Sequence, residues 1–116
     1  NATIVSGTIW KDTDGRAVHA HGAGVLLPHA HPDGQATGRY FMVGTTQKLP
    51  LPYGPKGEPA WISQGINLYS SPDLAAWTFE GEILANTSIT TPLPPGEPGF
   101  YRIERPKLLY NALTDR

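Results

Sequence analysis

The run Arg102-Ile103-Glu104-Arg105-Pro106-Lys107-Leu108-Leu109-Tyr110-Asn111 sets one carboxylate among cations and follows it with apolar residues. Positive charge from Arg105 and Lys107 favours the ionised form of Glu104, because a nearby cation lowers a carboxylate pKa. Pro106 lacks a backbone donor, so it belongs at a strand start or on an edge. Leu108, Leu109 and Tyr110 have the makeup of a buried strand. A carboxylate at the mouth of a buried strand is well placed for site chemistry. The same residues also fit an ordinary surface ion pair at a strand end, which contributes little.

A second stretch with chemical potential is His19-Ala20-His21-Gly22-Ala23-Gly24-Val25-Leu26-Leu27. In a strand, His19 and His21 share a face, because side chains alternate with period two. Gly22 and Gly24 leave room for close backbone packing or for a ligand. Val25 to Leu27 read as a buried strand. His29 and His31 repeat the His-x-His spacing, and zinc takes such pairs, but it needs three or four ligands. His29 and His31 fall among Pro28, Pro32 and Gly34, a solvent-facing loop. His21 is thus a metal ligand, a polar contact to a bound molecule, or a satisfied structural histidine. Asp12-Thr13-Asp14-Gly15 resembles the start of a calcium loop but lacks the bidentate Glu downstream. It reads as a turn, with Asp side chains capping their own backbone and Gly15 supplying positive φ.

The elements that must position these residues are short and extended. Thr3-Ile4-Val5 and Thr8-Ile9-Trp10 are β-prone, and Ala17-Val18-His19 forms the return arm of a hairpin. Gly38 to Gly44 is a strand, preceded by a turn at Pro32-Asp33-Gly34. Lys48 to Ala60, with four prolines and two glycines, is a surface loop; loops of that length are often functional. Gly65 to Ser70 alternates like a half-buried strand. Ser71-Pro72-Asp73-Leu74 reads as one helical turn, Ser71 capping and Pro72 first. Trp77 to Leu84 is a strand with a central glycine, residues 90–99 are a second Pro/Gly loop, and Lys107 to Tyr110 is the last strand before a turn at 111–115. No long amphipathic helix is evident. This is an all-β chain with a four-strand unit over Gly22–Leu84, the size of a propeller blade.

Composition narrows the partners. The chain has 116 residues, a net charge of −1, 16% charged residues and no cysteine. It fits one small domain at most. It has no basic field for nucleic acid and no basic amphipathic run for a membrane surface. No apolar run nears the roughly 20 residues of a membrane span. There is no disulfide framework and no thiolate site. Asn1-Ala2-Thr3 and Asn86-Thr87-Ser88 match the N-glycosylation acceptor pattern, so an extracellular address with glycans at Asn1 and Asn86 is expected. A four-strand unit followed by a strand without a hairpin partner exposes edges and has a thin core, so these residues are expected to belong to a larger domain.

Trp10-x-Asp12-x-Asp14-Gly15, Ala20-His21-Gly22-x-Gly24, Tyr69-Ser70-Ser71-x-Asp73-Leu74-x-x-Trp77, and Glu104-Arg105-Pro106-Lys107 with Tyr110-Asn111 together resemble the opening of glycoside hydrolase family 43. The branch most resembled is that of the exo-β-1,3-galactanases. The resemblance implies the N-terminal part of a five-bladed β-propeller: residues 1–116 would supply a first blade at Gly22–Leu84 and the start of a second at Arg102–Arg116. It implies an inverting glycosidase that hydrolyses O-glycosidic bonds in plant-type polysaccharide, on the β-1,3-galactan side of arabinogalactan. Inverting hydrolysis uses a proton donor and a base roughly 6.5–9.5 Å apart. In the wider family the base is an Asp on the first inner strand. Ala20-His21-Gly22 stands there in this chain, and the galactanase branch shares the departure. Glu104 would match the family's third acid, which positions the sugar and raises the donor's pKa through like charge. His21, Gly22, Arg105 and Thr45 would line the sugar pocket; Thr45 follows Gly44 where that branch often has Glu. The donor and the base would come from residues outside this sequence, so the 116 residues alone are expected to be inactive. The resemblance calls for no cofactor and no metal, a polysaccharide or oligosaccharide as the bound partner, and a monomer when complete. A non-catalytic carbohydrate-binding propeller, and a structural or interaction fragment that folds against another chain, are the alternatives.

Overall fold

The computed structural model describes residues 3–47, 63–89 and 103–116. The loop expected over Lys48–Ala60, the loop over residues 90–99, and Asn1 and Arg102 lie outside the described residues. Among the described residues the chain is all-β but for one short α-helix and two 3₁₀ turns, Pro28–Ala30 and Asn86–Ser88. Strands β1 (His21–Leu26), β2 (Tyr40–Gln47), β3 (Ser63–Ser71) and β4 (Thr78–Ala85) form one antiparallel sheet in the order β1-β2-β3-β4. Each strand pairs with its neighbour in sequence, the simplest meander.

Alternation along the strands sorts the side chains onto two faces. Met42 pairs with Tyr69, and Tyr69 with Phe79. With Trp77 they form the core of one face, where Met42, Tyr69 and Trp77 are each 2% exposed. Val18 and Ala20 pack on this core. Trp10 meets Trp77 edge-on with ring centroids 6.2 Å apart, a geometry favoured by the ring quadrupoles. The segment carrying Val18 to Ala20 is tied to β3 by polar bonds. The Tyr69 hydroxyl accepts from the His19 N–H at 3.0 Å, and Asn67 Nδ2 donates to the His19 carbonyl at 3.2 Å. Gly44 permits this layer to lie close: a Cβ there would come within 2.3 Å of the Ala20 main chain.

The predicted Asp12–Gly15 turn forms. Asp12 Oδ1 accepts from the N–H groups of Asp14 and Arg16, each at 2.9 Å. The hairpin around it closes through a Lys11–Ala17 bridge and a Val18-to-Trp10 backbone bond. Thr3–Val5 and Thr8–Trp10, read as β-prone, form no strand, and Ile4, Val5 and Ile9 are exposed.

Several other expectations are corrected. The turn at Pro32-Asp33-Gly34 is the first part of a helix, α1 (Pro32–Thr37). His31 Nδ1 accepts the Asp33 N–H at the helix start, Pro32 occupies its first turn, and Gly38 closes it at φ 68, the left-handed position that glycine takes readily. Ser71–Leu74 is not a helical turn. Ser71 Oγ accepts from the Asp73 N–H, Asp73 Oδ1 accepts from Ala76 and Ala75 N–H at 2.8 and 2.9 Å, and Leu74 is left-handed at φ 64. Side-chain acceptors there have replaced the backbone acceptors a helix would use. These bonds, Ala76 first and then Ala75, hold the Asp73 carboxyl below its ordinary pKa. The strand at Val25–Leu27 is not buried: Val25 is 48% and Leu27 47% exposed, because β1 is the sheet edge and ends at Leu26. Lys107–Tyr110, expected as a strand, forms none and pairs with no described strand, and Leu109 is 88% exposed. Apolar composition alone makes no ladder without a partner.

Candidate functional site

The segment from Ile103 to Tyr110 lies across the second face of the sheet, the face carrying Gly24, Val43 and Phe41. Two kinds of contact hold it there. Ser63, fully buried in β3, clamps Ile103 from both sides: Ser63 Oγ accepts the Ile103 N–H at 2.8 Å and donates to the Ile103 carbonyl at 3.1 Å. At the other end the Tyr110 ring meets His31 with centroids 4.7 Å apart. Between these points the segment presses on β1. A Cβ on Gly22 would lie 3.2 Å from the Arg105 nitrogen, and one on Gly24 would lie 2.6 Å from the Pro106 carbonyl oxygen. The two glycines therefore serve close backbone packing, one of the two uses expected of them.

This approach builds a corner. The β1–β2 register shifts between His21 and Gly24, and Gly22 takes φ +63 there. The irregularity lets β1 open toward Arg105, itself at φ 50. A left-handed φ in a residue with a side chain costs about 1–2 kcal/mol. Strained backbone of this sort often clusters at functional sites. Thr45, paired with His21, donates its hydroxyl to the His21 carbonyl at 3.2 Å.

The result is a hollow of about 180 Å³ lined by His21, Gly22, Thr45, Gln47, Ile103, Glu104 and Arg105. All five residues singled out from the sequence line it. His21, Glu104 and Arg105 are exposed, whereas Thr45 is only 2% exposed. Among the described residues Glu104 makes no ion pair. Of the two cations expected to flank it, Lys107 turns its Nζ to the Pro106 carbonyl, and Arg105 lines the same hollow without an ion pair to it. Ser63 and Gln47 were missed by the sequence reading. Ser63 has no sequence signal of its own. Gln47 could have been found from Thr45, since residues two apart on a strand share a face.

The four histidines do not gather. His19 lines a neighbouring hollow of about 370 Å³ that shares His21, Thr45 and Gln47 with the first. His29 is exposed. His31 is only part-exposed, against the solvent-facing expectation, because it caps α1 and packs on Tyr110. Among the described residues no three His, Asp or Glu side chains come together as a metal site. A larger hollow, about 540 Å³, lies between residues 3–13 and Ala75–Ala76. It contains none of the residues chosen for chemistry, and three of its walls, Ile4, Val5 and Ile9, are exposed apolar side chains.

Comparison with solved structures decides the family. An exo-β-1,3-galactanase from Clostridium thermocellum superposes with a TM-score of 0.66 at 34% identity over 96% of this chain. A β-1,3-galactosidase of glycoside hydrolase family 43, solved with galactodeoxynojirimycin, gives 0.63 at 35% identity, again over 96% of the chain. The chain is a galactanase-like part of glycoside hydrolase family 43. It spans 19% and 27% of the length of those two enzymes. No family model and no curated protein matches it. As a family 43 relative, the chain has the Glu104-Arg105-Pro106-Lys107 run and the Ala20-His21-Gly22 run side by side in space, although more than eighty positions separate them in sequence.

Proposed function

We propose that this chain forms one blade and the beginning of the next in a five-bladed propeller, and that it supplies part of the sugar pocket of an inverting, β-1,3-galactan-cleaving hydrolase. The observation that carries the proposal is the single hollow bordered by His21, Gly22, Thr45, Glu104 and Arg105. About 180 Å³ is of the order of one hexose ring. Its walls mix a carboxylate, a guanidinium and an imidazole, which suits a polyhydroxylated ligand through charge-assisted hydrogen bonds. The blade reading draws support from the four-stranded meander and from the apolar side chains on its flanks, Val25 at β1 and Ile83 at β4, which neighbouring blades would cover. The two solved relatives are named for action on β-1,3-galactosyl linkages.

In this reading Glu104 orients the sugar and, when ionised, raises the pKa of a nearby proton donor. Ser63, through Ile103, holds the backbone from which Glu104 projects. Arg105 and His21 bind hydroxyls. Glu104 is the one carboxylate lining the hollow among the described residues, and inverting hydrolysis takes two groups. In this reading the 116 residues by themselves bind sugar without cleaving it. The exposed Thr87 and Ser88 of the Asn86 triplet, and the triplet at Asn1, keep an extracellular setting within the proposal.

The test is galactose release from β-1,3-galactan by the natural polypeptide that carries this chain. Glu104→Gln is expected to lower turnover by about 10²-fold or more, the scale of a lost acid–base contribution. Unchanged turnover in that variant removes Glu104 from the mechanism. Galactan binding without any hydrolysis by the parent polypeptide would favour a carbohydrate-binding role instead.

A further inference from the structure

Thr45 lines the Glu104 hollow, yet its hydroxyl is already committed. It donates to the His21 carbonyl at 3.2 Å, and the residue is 2% exposed. It can fix the shape of the corner, but it offers no free donor to a ligand. Two positions along the same strand, Gln47 lies on the same face and lines the same hollow. Gln47 is part-exposed, and its amide makes no hydrogen bond with any described residue. It also borders the adjoining hollow of about 370 Å³, together with His21 and Thr45. It thus stands at the partition between two spaces, one ringed by Glu104 and Arg105, the other by Trp10, His19 and Met42.

We infer that Gln47 is a specificity-determining sugar contact, whose amide bridges the hexose in the Glu104 hollow and the next hexose of the chain in the adjoining one. The inference rests on the sugar-pocket reading of the Glu104 hollow. The chemistry suits the position. A primary amide offers two donors and one acceptor, so one side chain can satisfy hydroxyls on two neighbouring rings. Unlike Glu, it brings no second negative charge beside Glu104. Trp10, 37% exposed on the far wall, gives the second ring an apolar surface to lie on.

The test is a titration of the isotope-labelled natural polypeptide that carries this chain with galactose and with a non-hydrolysable, sulfur-linked β-1,3-galactobiose, followed by amide NMR. The side-chain amide pair of Gln47 is assigned by its loss in Gln47→Ala. With galactobiose, this pair is expected to shift together with the backbone amides of His21 and Arg105. Gln47→Ala is expected to weaken galactobiose binding about five- to tenfold and galactose binding less, since one or two net hydrogen bonds are lost. Shifts at His21 and Arg105 with a silent Gln47 pair, or equal losses for the two sugars, overturn the role of Gln47 and leave the pocket standing. No shift at His21, Arg105 or Gln47 with either sugar removes the pocket, and this inference with it.

Discussion

Replacing Gly24 with alanine probes the contact on which the whole corner depends. The added Cβ would lie 2.6 Å from the Pro106 carbonyl oxygen and 2.8 Å from Lys107 Cδ. The lysine side chain can swing away, but the carbonyl belongs to the main chain. Carbon–oxygen contacts of this kind settle at about 3.3 Å or more, so Pro106 must retreat by about 0.7 Å. The sheet has little reason to yield, because Gly24 is held in the β1–β2 ladder opposite Val43. The crossing segment does: between the Ser63 clamp on Ile103 and the Tyr110–His31 contact, the one bond to its main chain from a described residue comes from its own Lys107 side chain, and no strand holds it. The strain should therefore appear at Glu104 to Lys107. A global penalty at the low end of the roughly 1–3 kcal/mol typical of overpacking is expected. Binding should suffer more, since a displacement near 1 Å beside reacting groups can cost about 10²-fold. Urea denaturation and sugar titration of the same variant measure both. Gly44→Ala is the control, because its Cβ would meet the Ala20 main chain at 2.3 Å, where β2 and the Val18–Ala20 layer are both fixed. It should destabilise the fold more than Gly24→Ala does. If Gly24→Ala leaves the Glu104–Lys107 amide resonances in place, or lowers the urea midpoint as far as Gly44→Ala, the reasoning fails.

Two further outcomes are expected. Trp77→Ala removes the largest fully buried side chain among the described residues and its edge contact with Trp10, and should cost about 3–5 kcal/mol in urea denaturation; a loss below about 1 kcal/mol would show that the aromatic layer is not the core. Asp73 has a carboxyl pKa lowered in the folded state by the Ala76 and Ala75 N–H groups, so its ionised form favours folding. That contribution is complete above the ordinary value of 3.8 and fades as pH falls through the folded pKa. The stability gap between the native chain and Asp73→Asn should therefore shrink on acidification through that range, and a gap independent of pH would contradict the turn assignment.

The four strands were legible because each keeps a clear period or an apolar run between turn residues: β2 around Tyr40-Phe41-Met42-Val43 and β4 around Trp77 to Leu84 are examples. The turn at Asp12–Gly15 was legible for the same local reason. The helix at Pro32–Thr37 was not, since its start depends on His31 acting as a cap, a role that Ser, Thr, Asp and Asn more commonly fill. The Ser71–Leu74 segment misled because Ser-Pro-Asp reads as a helix start, while the Asp73 side chain in fact takes the N–H groups of Ala75 and Ala76.

The sequence by itself determined which residue types were available for site chemistry: a carboxylate at 104, a guanidinium at 105, an imidazole at 21, and glycines at 22 and 24 that allow close approach of a backbone. Only the tertiary structure decided that His21, Gly22, Glu104 and Arg105 share one hollow, that Thr45 turns its hydroxyl to the His21 carbonyl, and that the Gln47 amide is bonded by no described residue. The physical reason is that these depend on long-range approach. The Ser63–Ile103 clamp joins residues 40 positions apart, and no local pattern of polarity encodes which distant backbone will come to rest against a glycine.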